Sequence, residues 1–501
     1  MSLRGFLLTR RDRIGEALWV AALLAVGAWL LFGGLSGAII HQSDETKAVL
    51  NYFPASPGLF CLARPWVVRF GTFDAVYYLN AALALGNVAW VYLWVRASFR
   101  TRVAVLTGWA YLLMDLPLAH ARVLNYSTAV CFFVFGSAVC FMAGQKSRNL
   151  LLYCASGASG AMALLMHPAA FVPLLALGTW IAWTLWGMKA SRQGLTRGIL
   201  GTVCMAGSFL GVAALVDFFY YRKMNAVFLA SHHYEGSASY FAHAWYHAQH
   251  SIAGPFADLI GIAGLKRLLW NIIGGTPPEP AVLLVHAIAI GAVIYGLLLA
   301  VRTRNHPAFG MYMFAAAFGV PVALSLLGWQ NITPRHFTAI SAVLAFSVGY
   351  TLDHSLGRGP QIRTLGVLLA LVFLVLSAVR AAEIRTSVPS WNTVESFMAE
   401  RGIPKTQILT NFTNFNRLED FRQKNIARPV PIIWENGLKR IDWQNVFAAY
   451  LAGRARYLLA PGLDPEDWRA ESTDPLLEAT APLATWPHPL SNRRVVQPDE
   501  V

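Results

Sequence analysis

Few residues in this sequence could move a proton or hold an anion, and several of them fall in short polar stretches between apolar runs. Asp44 and Glu45 stand side by side in HQSDETKAVLNYF, directly after the first apolar run, with His41 just ahead. Adjacent carboxylates suit general-base work, because one keeps the field negative and can raise the other's pKa. The same pair also suits a solvated loop start, or a cap on a helix beginning near Lys47, and composition alone favours that plainer role. Cations recur in similar stretches: Arg122, His167 before Pro168, and Arg335 with His336 in NITPRHFTAISAV. Arginine matches phosphate through its planar fork of donors, so this set could hold an anionic group. The alternative is that Arg122 and Arg335 snorkel at span ends. Asp115, Asn125 and Tyr126 flank Arg122 in sequence and are candidates to line the same site.

A second grouping is SHHYEGSASYFAHAWYHAQH, where His243, His247 and His250 recur on one helical face. Such a face could ligate a metal, but no acidic residue shares it, and four ligands are the usual requirement. Histidine among Trp245, Tyr240 and Tyr246 equally suits a helix lying at a membrane interface. Five cysteines at irregular spacing form no metal or disulfide pattern.

The elements that must position these residues are set by composition. AVILMFWYC make up 56% of 501 residues and charged residues only 13%, against about 25% in soluble domains. That excludes an ordinary globular, disordered or collagenous chain and indicates a polytopic membrane protein. Apolar runs long enough to cross hydrocarbon cover 17–40, 75–95, 123–143, 169–187, 198–216, 281–300, 308–328 and 365–379. Weaker ones cover 103–119 (interrupted by Asp115), 150–166 and 336–352. The expectation is an α-helical polytopic membrane protein of about eleven spans.

Charge sets the expected orientation. Residues 1–380 carry 26 Lys/Arg and 11 Asp/Glu, while 381–501 carry 14 and 15. The basic excess therefore belongs to the membrane part, and it is scattered rather than gathered into the footprint that nucleic acid needs. With simple alternation, Arg4, Arg10, Arg11 and Arg13, Arg96/Arg100/Arg102, Lys146/Arg148, Lys189/Arg192/Arg197, Arg302/Arg304 and Arg358/Arg363 all fall on one side. The positive-inside rule makes that side cytoplasmic. Loops 41–74 and 217–280, both aromatic-rich, are then exported and expected to form short interfacial helices. The first run is too long for a signal peptide and lacks a cleavage site. Residues 381–501 alternate helix-like 392–401 and 442–453 with strand-like 407–411, 430–434 and 455–461, as expected of a small exported α/β domain.

An Asp-Glu pair just past the first span, a cytoplasmic N-terminus and an exported C-terminal domain together resemble the GT-C glycosyltransferases. The resemblance is nearest to the aminoarabinose transferase and protein O-mannosyltransferase group. MALLMHPAAFVPLL (162–175) resembles that group's turn at the end of its fifth span, with His167 where Lys is usual. LNYSTAVCFFVF (124–135) resembles the start of its fourth span, with Asn125-Tyr126 where a second Asp is common, and NITPRHFTAISAV resembles its late Arg motif.

The resemblance implies a sugar moved from a polyprenyl-phosphate carrier to a lipid-linked, glycan or protein acceptor on the exported face. Asp44 would be the base, with Glu45 beside it. Arg122, Arg335, His336 and His167 would bind the donor phosphate, and His41, Asp115, Asn125 and Tyr126 would line the site. No cofactor is required by this reading, although a divalent metal is compatible with it. A compact-looped chain without disulfides fits a bacterial inner membrane. Three rivals stand beside it: a transporter or flippase, an oligosaccharide ligase or polymerase, and a non-catalytic assembly subunit. A transporter would need ionisable groups paired in mid-span, whereas Asp115 is the one acidic residue inside the predicted spans.

Overall fold

The apolar runs become helices because a segment in hydrocarbon must satisfy its backbone internally. The computed structural model describes residues 3–33, 35, 57–70, 74–122, 126–167, 170–187, 192–221, 280–319, 338–386 and 398–410, with short pieces between 428 and 459. The described helices are α1 (Leu3–Phe32), α2 (Pro57–Phe70), α3 (Asp74–Ser98), α4 (Thr101–Leu112), α5 (Asp115–Arg122), α6 (Tyr126–Ser147) and α7 (Leu150–Met166). They continue with α8 (Phe171–Gly187), α9 (Arg192–Val216), α10 (Pro280–Arg302), α11 (His306–Ala316), α12 (Ser341–Leu356) and α13 (Pro360–Thr386). Each of the eleven apolar runs overlaps at least one of these helices, and 103–119 overlaps two, α4 and α5. Among the described residues six helices are long and apolar enough to cross a membrane, or seven if the bent α4–α5 pair is one span. The chain is an integral membrane protein by this measure.

The break between α4 and α5 turns the chain by 60°. Pro117 lacks the N–H that would have reached the carbonyl of Leu113. The last turn of α4 instead tightens through the bond from Met114 N to Tyr111 O, at 3.3 Å.

The interior is aromatic. Trp94 of α3 meets Trp180 of α8 and Phe314 of α11 edge-on, both at 5.2 Å between ring centres, and Phe135 of α6 at 5.9 Å. Small residues bring helices close elsewhere. A Cβ on Gly157 of α7 would stand 1.9 Å from the carbonyl oxygen of Met205 in α9, so only glycine fits there.

Cross-helix contacts define the two ends of the bundle. At one, Glu16 of α1 meets Arg96 of α3 and Thr101 of α4, and Arg102 of α4 meets Asp353 of α12. Lys146 of α6 donates to the carbonyl of Ala97, and Trp183 of α8 to that of His306. The basic connections that flank Arg96, Lys146, Arg304 and Arg358 run to this Arg96 end, on the common side that alternation gave them. Two of them use the same device: Arg148 (φ 60°) and Arg304 (φ 51°) are left-handed, and each precedes an asparagine that caps the next helix.

At the other end, here the Arg122 end, lies α2 within the aromatic-rich 41–74 stretch. Leu59, Ala63 and Val67 are buried on one face, while exposed Trp66 and Phe70 stack on the other at 5.9 Å. This is the amphipathic form expected of an interfacial helix.

Described strands in the C-terminal region are β1 (Ile408–Thr410), β2 (Arg428–Pro429), β3 (Ile432–Glu435), β4 (Leu438–Ile441) and β5 (Tyr457–Leu459). β1 pairs in parallel with β2 and β5, in the order β2-β1-β5. The strand-like runs at 407–411, 430–434 and 455–461 hold β1, β3 and β5. β4, which pairs antiparallel with β3, lies outside the strand-like runs expected from the sequence.

Candidate functional site at the Arg122 end

The site is organised by α5, a short helix bearing DLPLAHAR. Its exposed-looking sequence is misleading: His120 is fully buried and Arg122 is 3% exposed. Helix C-termini leave carbonyls unpaired, and here neighbouring side chains supply the donors. Asn80 of α3 donates through Nδ2 to the carbonyls of His120 and Ala121, at 2.9 and 3.0 Å. Thr128 of α6 donates to the His120 carbonyl at 3.1 Å.

Arg122 does the same service for another helix. Its Nη1 donates to the carbonyls of Leu30 and Gly33, at 3.0 and 3.1 Å, where α1 ends. A cation there also meets the negative end of the helix dipole. Snorkelling into water was the alternative expected for this residue; burial and these two bonds replace it with a role inside the bundle.

The imidazole of His120 pairs through Nδ1 with Thr338 Oγ1 at 2.8 Å and lies 3.4 Å from Ser127 Oγ. Two residues before Ser127's successor in the same first turn of α6, Tyr126 is buried and stacks flat on His167, with ring centres 3.7 Å apart and planes within 4°. His167 ends α7 in extended backbone, and the carbonyl of His167 accepts from Ala170 N at 2.9 Å. The carboxylate of Asp217, 5% exposed, lies in the π-turn Asp217–Tyr221 that closes α9. α9 packs beside α7 along Phe209, Val212 and Val216, so this turn is at the same end.

Of the sequence candidates, Arg122, Tyr126 and His167 are thus brought to one end of the bundle. Asp115 is placed as the first residue of α5. His41, Asp44, Glu45, Asn125, Arg335 and His336 lie outside the described residues, as do His243, His247 and His250. Among the described residues no group of three or more His, Cys, Asp or Glu could hold a metal ion.

Sequence reasoning missed His120, Asn80, Thr338 and Asp217. Signals pointed to the first two. Asp115 followed closely by Pro117 marks a helix start, which would have placed His120 and Arg122 on a helix rather than in a loop. Asn80 and Asn87 are amides seven residues apart inside an apolar run, hence on one face of α3.

The arrangement is a set of one guanidinium and two imidazoles at a common end of the bundle, held by hydroxyl and amide side chains. Such a set makes this end of the bundle favourable for negative charge.

No protein-family model matches the chain, and no curated protein matches it in sequence. Solved structures do match in fold. The archaeal oligosaccharyltransferase AglB from Archaeoglobus fulgidus, in complex with an inhibitory peptide and a dolichol-phosphate, aligns with a TM-score of 0.54 at 12% identity. That alignment covers 90% of this chain and 70% of AglB. A second Archaeoglobus fulgidus oligosaccharyltransferase structure, a complex with Zn and sulfate, aligns at 0.52 and 14% identity over 88% of this chain and 68% of that one. ArnT from Cupriavidus metallidurans, bound to undecaprenyl phosphate, aligns at 0.54 and 13% identity over 95% of this chain and 97% of ArnT. What the chain shares with these proteins is the architecture, and that architecture is the GT-C fold.

Proposed function

We propose that this chain is an inverting, membrane-integral glycosyltransferase that uses a polyprenyl-phosphate-linked sugar. The observation that carries the reading is the gathering of Arg122, His120 and His167 at the end of a GT-C bundle remote from the basic connections. Fold alone would not carry it, since one fold hosts several functions. The end-to-end likeness to ArnT bound to undecaprenyl phosphate adds support.

In this reading the Arg122 end faces the exported side, the N-terminus is cytoplasmic, and the membrane is a bacterial inner membrane. Asp44 takes the proton from an acceptor hydroxyl, with Glu45 beside it. The acceptor oxygen forms a bond to the anomeric carbon as the bond from that carbon to the phosphate oxygen breaks. The departing phosphate keeps the electron pair, and Arg122, Arg335, His336 and His167 stabilise its charge. Arg122 contributes its positive field while Nη1 stays on the carbonyls of α1. His41, Asp115, Asn125 and Tyr126 line the reacting groups. Residues 1–380 form the transferase module, and the exported domain 381–501 helps select the acceptor, whether lipid-linked, glycan or protein. The reading requires no cofactor; a divalent ion, as in the Zn-containing structure of similar fold, would share the phosphate's charge.

Likeness to an oligosaccharyltransferase favours a second reading, transfer of a preassembled oligosaccharide. It is the weaker of the two, because the chain spans 70% of AglB against 97% of ArnT.

The test is transfer in membranes supplied with labelled polyprenyl-linked donors, single sugars and oligosaccharides separately. Wild type should use the single sugars. Asp44→Asn should lose about 10²-fold or more, as expected when a general base is removed, with expression unchanged. Full activity in that variant rejects Asp44 as the base, and movement of donor lipid without transfer favours a flippase.

A further inference from the structure

A cavity of about 10 Å³ lies where α4 breaks into α5. Its polar lining is Asn87 of α3, Tyr111 of α4, Thr128 of α6 and Thr338, and its apolar lining includes Leu31 and Pro117. Asn87 and Tyr111 are 3% and 1% exposed. The Asn87 Nδ2 donates to the carbonyl of Thr128 at 3.0 Å. A carbonyl can only accept, so the amide is oriented by that bond and its Oδ1 must point the other way. Among the described residues that Oδ1 is buried with no donor, and the Tyr111 hydroxyl is buried with no partner. Buried polar atoms left in this condition are rare, because each is costly.

The size and chemistry of the cavity decide what it takes. Its volume matches about one water centre, too little for an organic molecule. Among the described residues no charged side chain lines it, which argues against an ion. A water needs two to four polar partners, and the lining supplies them. We propose that this cavity is a binding site for one ordered water. The Tyr111 hydroxyl donates to it, and it donates to Asn87 Oδ1. Its second hydrogen goes to Thr128 Oγ1, whose own hydrogen is already given to the His120 carbonyl. The water thereby ties α3, α4 and α6 together around the helix break.

Two measurements on the full-length protein in lipid nanodiscs test this. A map detailed enough to show ordered waters should contain a peak within hydrogen-bond reach of both Asn87 and Tyr111. In thermal unfolding, Asn87→Leu and Tyr111→Phe should each lower Tm by about 2 °C or more. The double variant should lose clearly less than the sum, because Asn87 Oδ1 and the Tyr111 hydroxyl, each of which a single variant leaves facing the other's gap, are then both gone. A map that shows neighbouring waters but no peak here overturns the proposal, and so do losses that simply add.

Discussion

At the Arg96 end, Glu16 accepts from Arg96 Nε at 2.6 Å, from Thr101 at 3.1 Å and from the Tyr92 hydroxyl. These are side chains bonding side chains, and they remain partly wet: 42% of the Arg96 side chain and 65% of the Arg102 side chain are exposed. At the Arg122 end, Asn80, Thr128 and Arg122 donate to backbone carbonyls, and the residues involved are buried. The difference teaches where charge is being used for orientation and where for construction. Exposed ion pairs are weak and replaceable. A buried donor that caps a helix is not, since its loss leaves a carbonyl without water or partner.

That contrast can be broken by substitution. Arg122→Leu should have the largest effect, about 3 kcal/mol, because it strips the carbonyls of Leu30 and Gly33 together. Denaturant unfolding in detergent would read the loss; a value under about 1 kcal/mol would place Arg122 with the replaceable charges. Asn80→Leu should cost about 2 kcal/mol, since Thr128 still serves His120 while Ala121 loses its donor. Raised hydrogen exchange in 115–122 is the accompanying sign, and unchanged exchange would mean that α5 is held otherwise.

Glu16→Gln should cost about 1 kcal/mol, and the deficit should shrink in high salt, as a partly exposed network is screened. A salt-independent deficit would make this end as buried in its energetics as the other. Smallest of all, Asp353→Asn should change stability by no more than about 0.3 kcal/mol, its pair with Arg102 being long at 3.6 Å and exposed. Thermal midpoints compared side by side would sharpen the ranking, and a large shift would show that this pair carries structure.

The sequence made most of the scaffold legible. Apolar runs such as 75–95 and 198–216 declare their helices because hydrocarbon leaves the backbone no other choice. Arg96, Lys146 and Arg302 declare their common end through alternation alone. The site was legible only in part. Arg122, Tyr126 and His167 were named from residue type and position, yet their partners were not. Asn80 is 40 residues from His120 and Thr338 is 218 residues from it; no local pattern links residues so far apart.

The length of the apolar runs and the placement of charge, both local quantities, determined that this chain is a bundle of membrane helices with two unlike ends. Tertiary structure alone decided that Pro117 turns α5 inward, that His120 is enclosed rather than dissolved in a loop, and that Arg122 closes the end of α1. The physical reason is that a donor's partner is chosen by packing. Which carbonyls are left unsatisfied, and which side chain comes close enough to satisfy them, exists only once the helices have met.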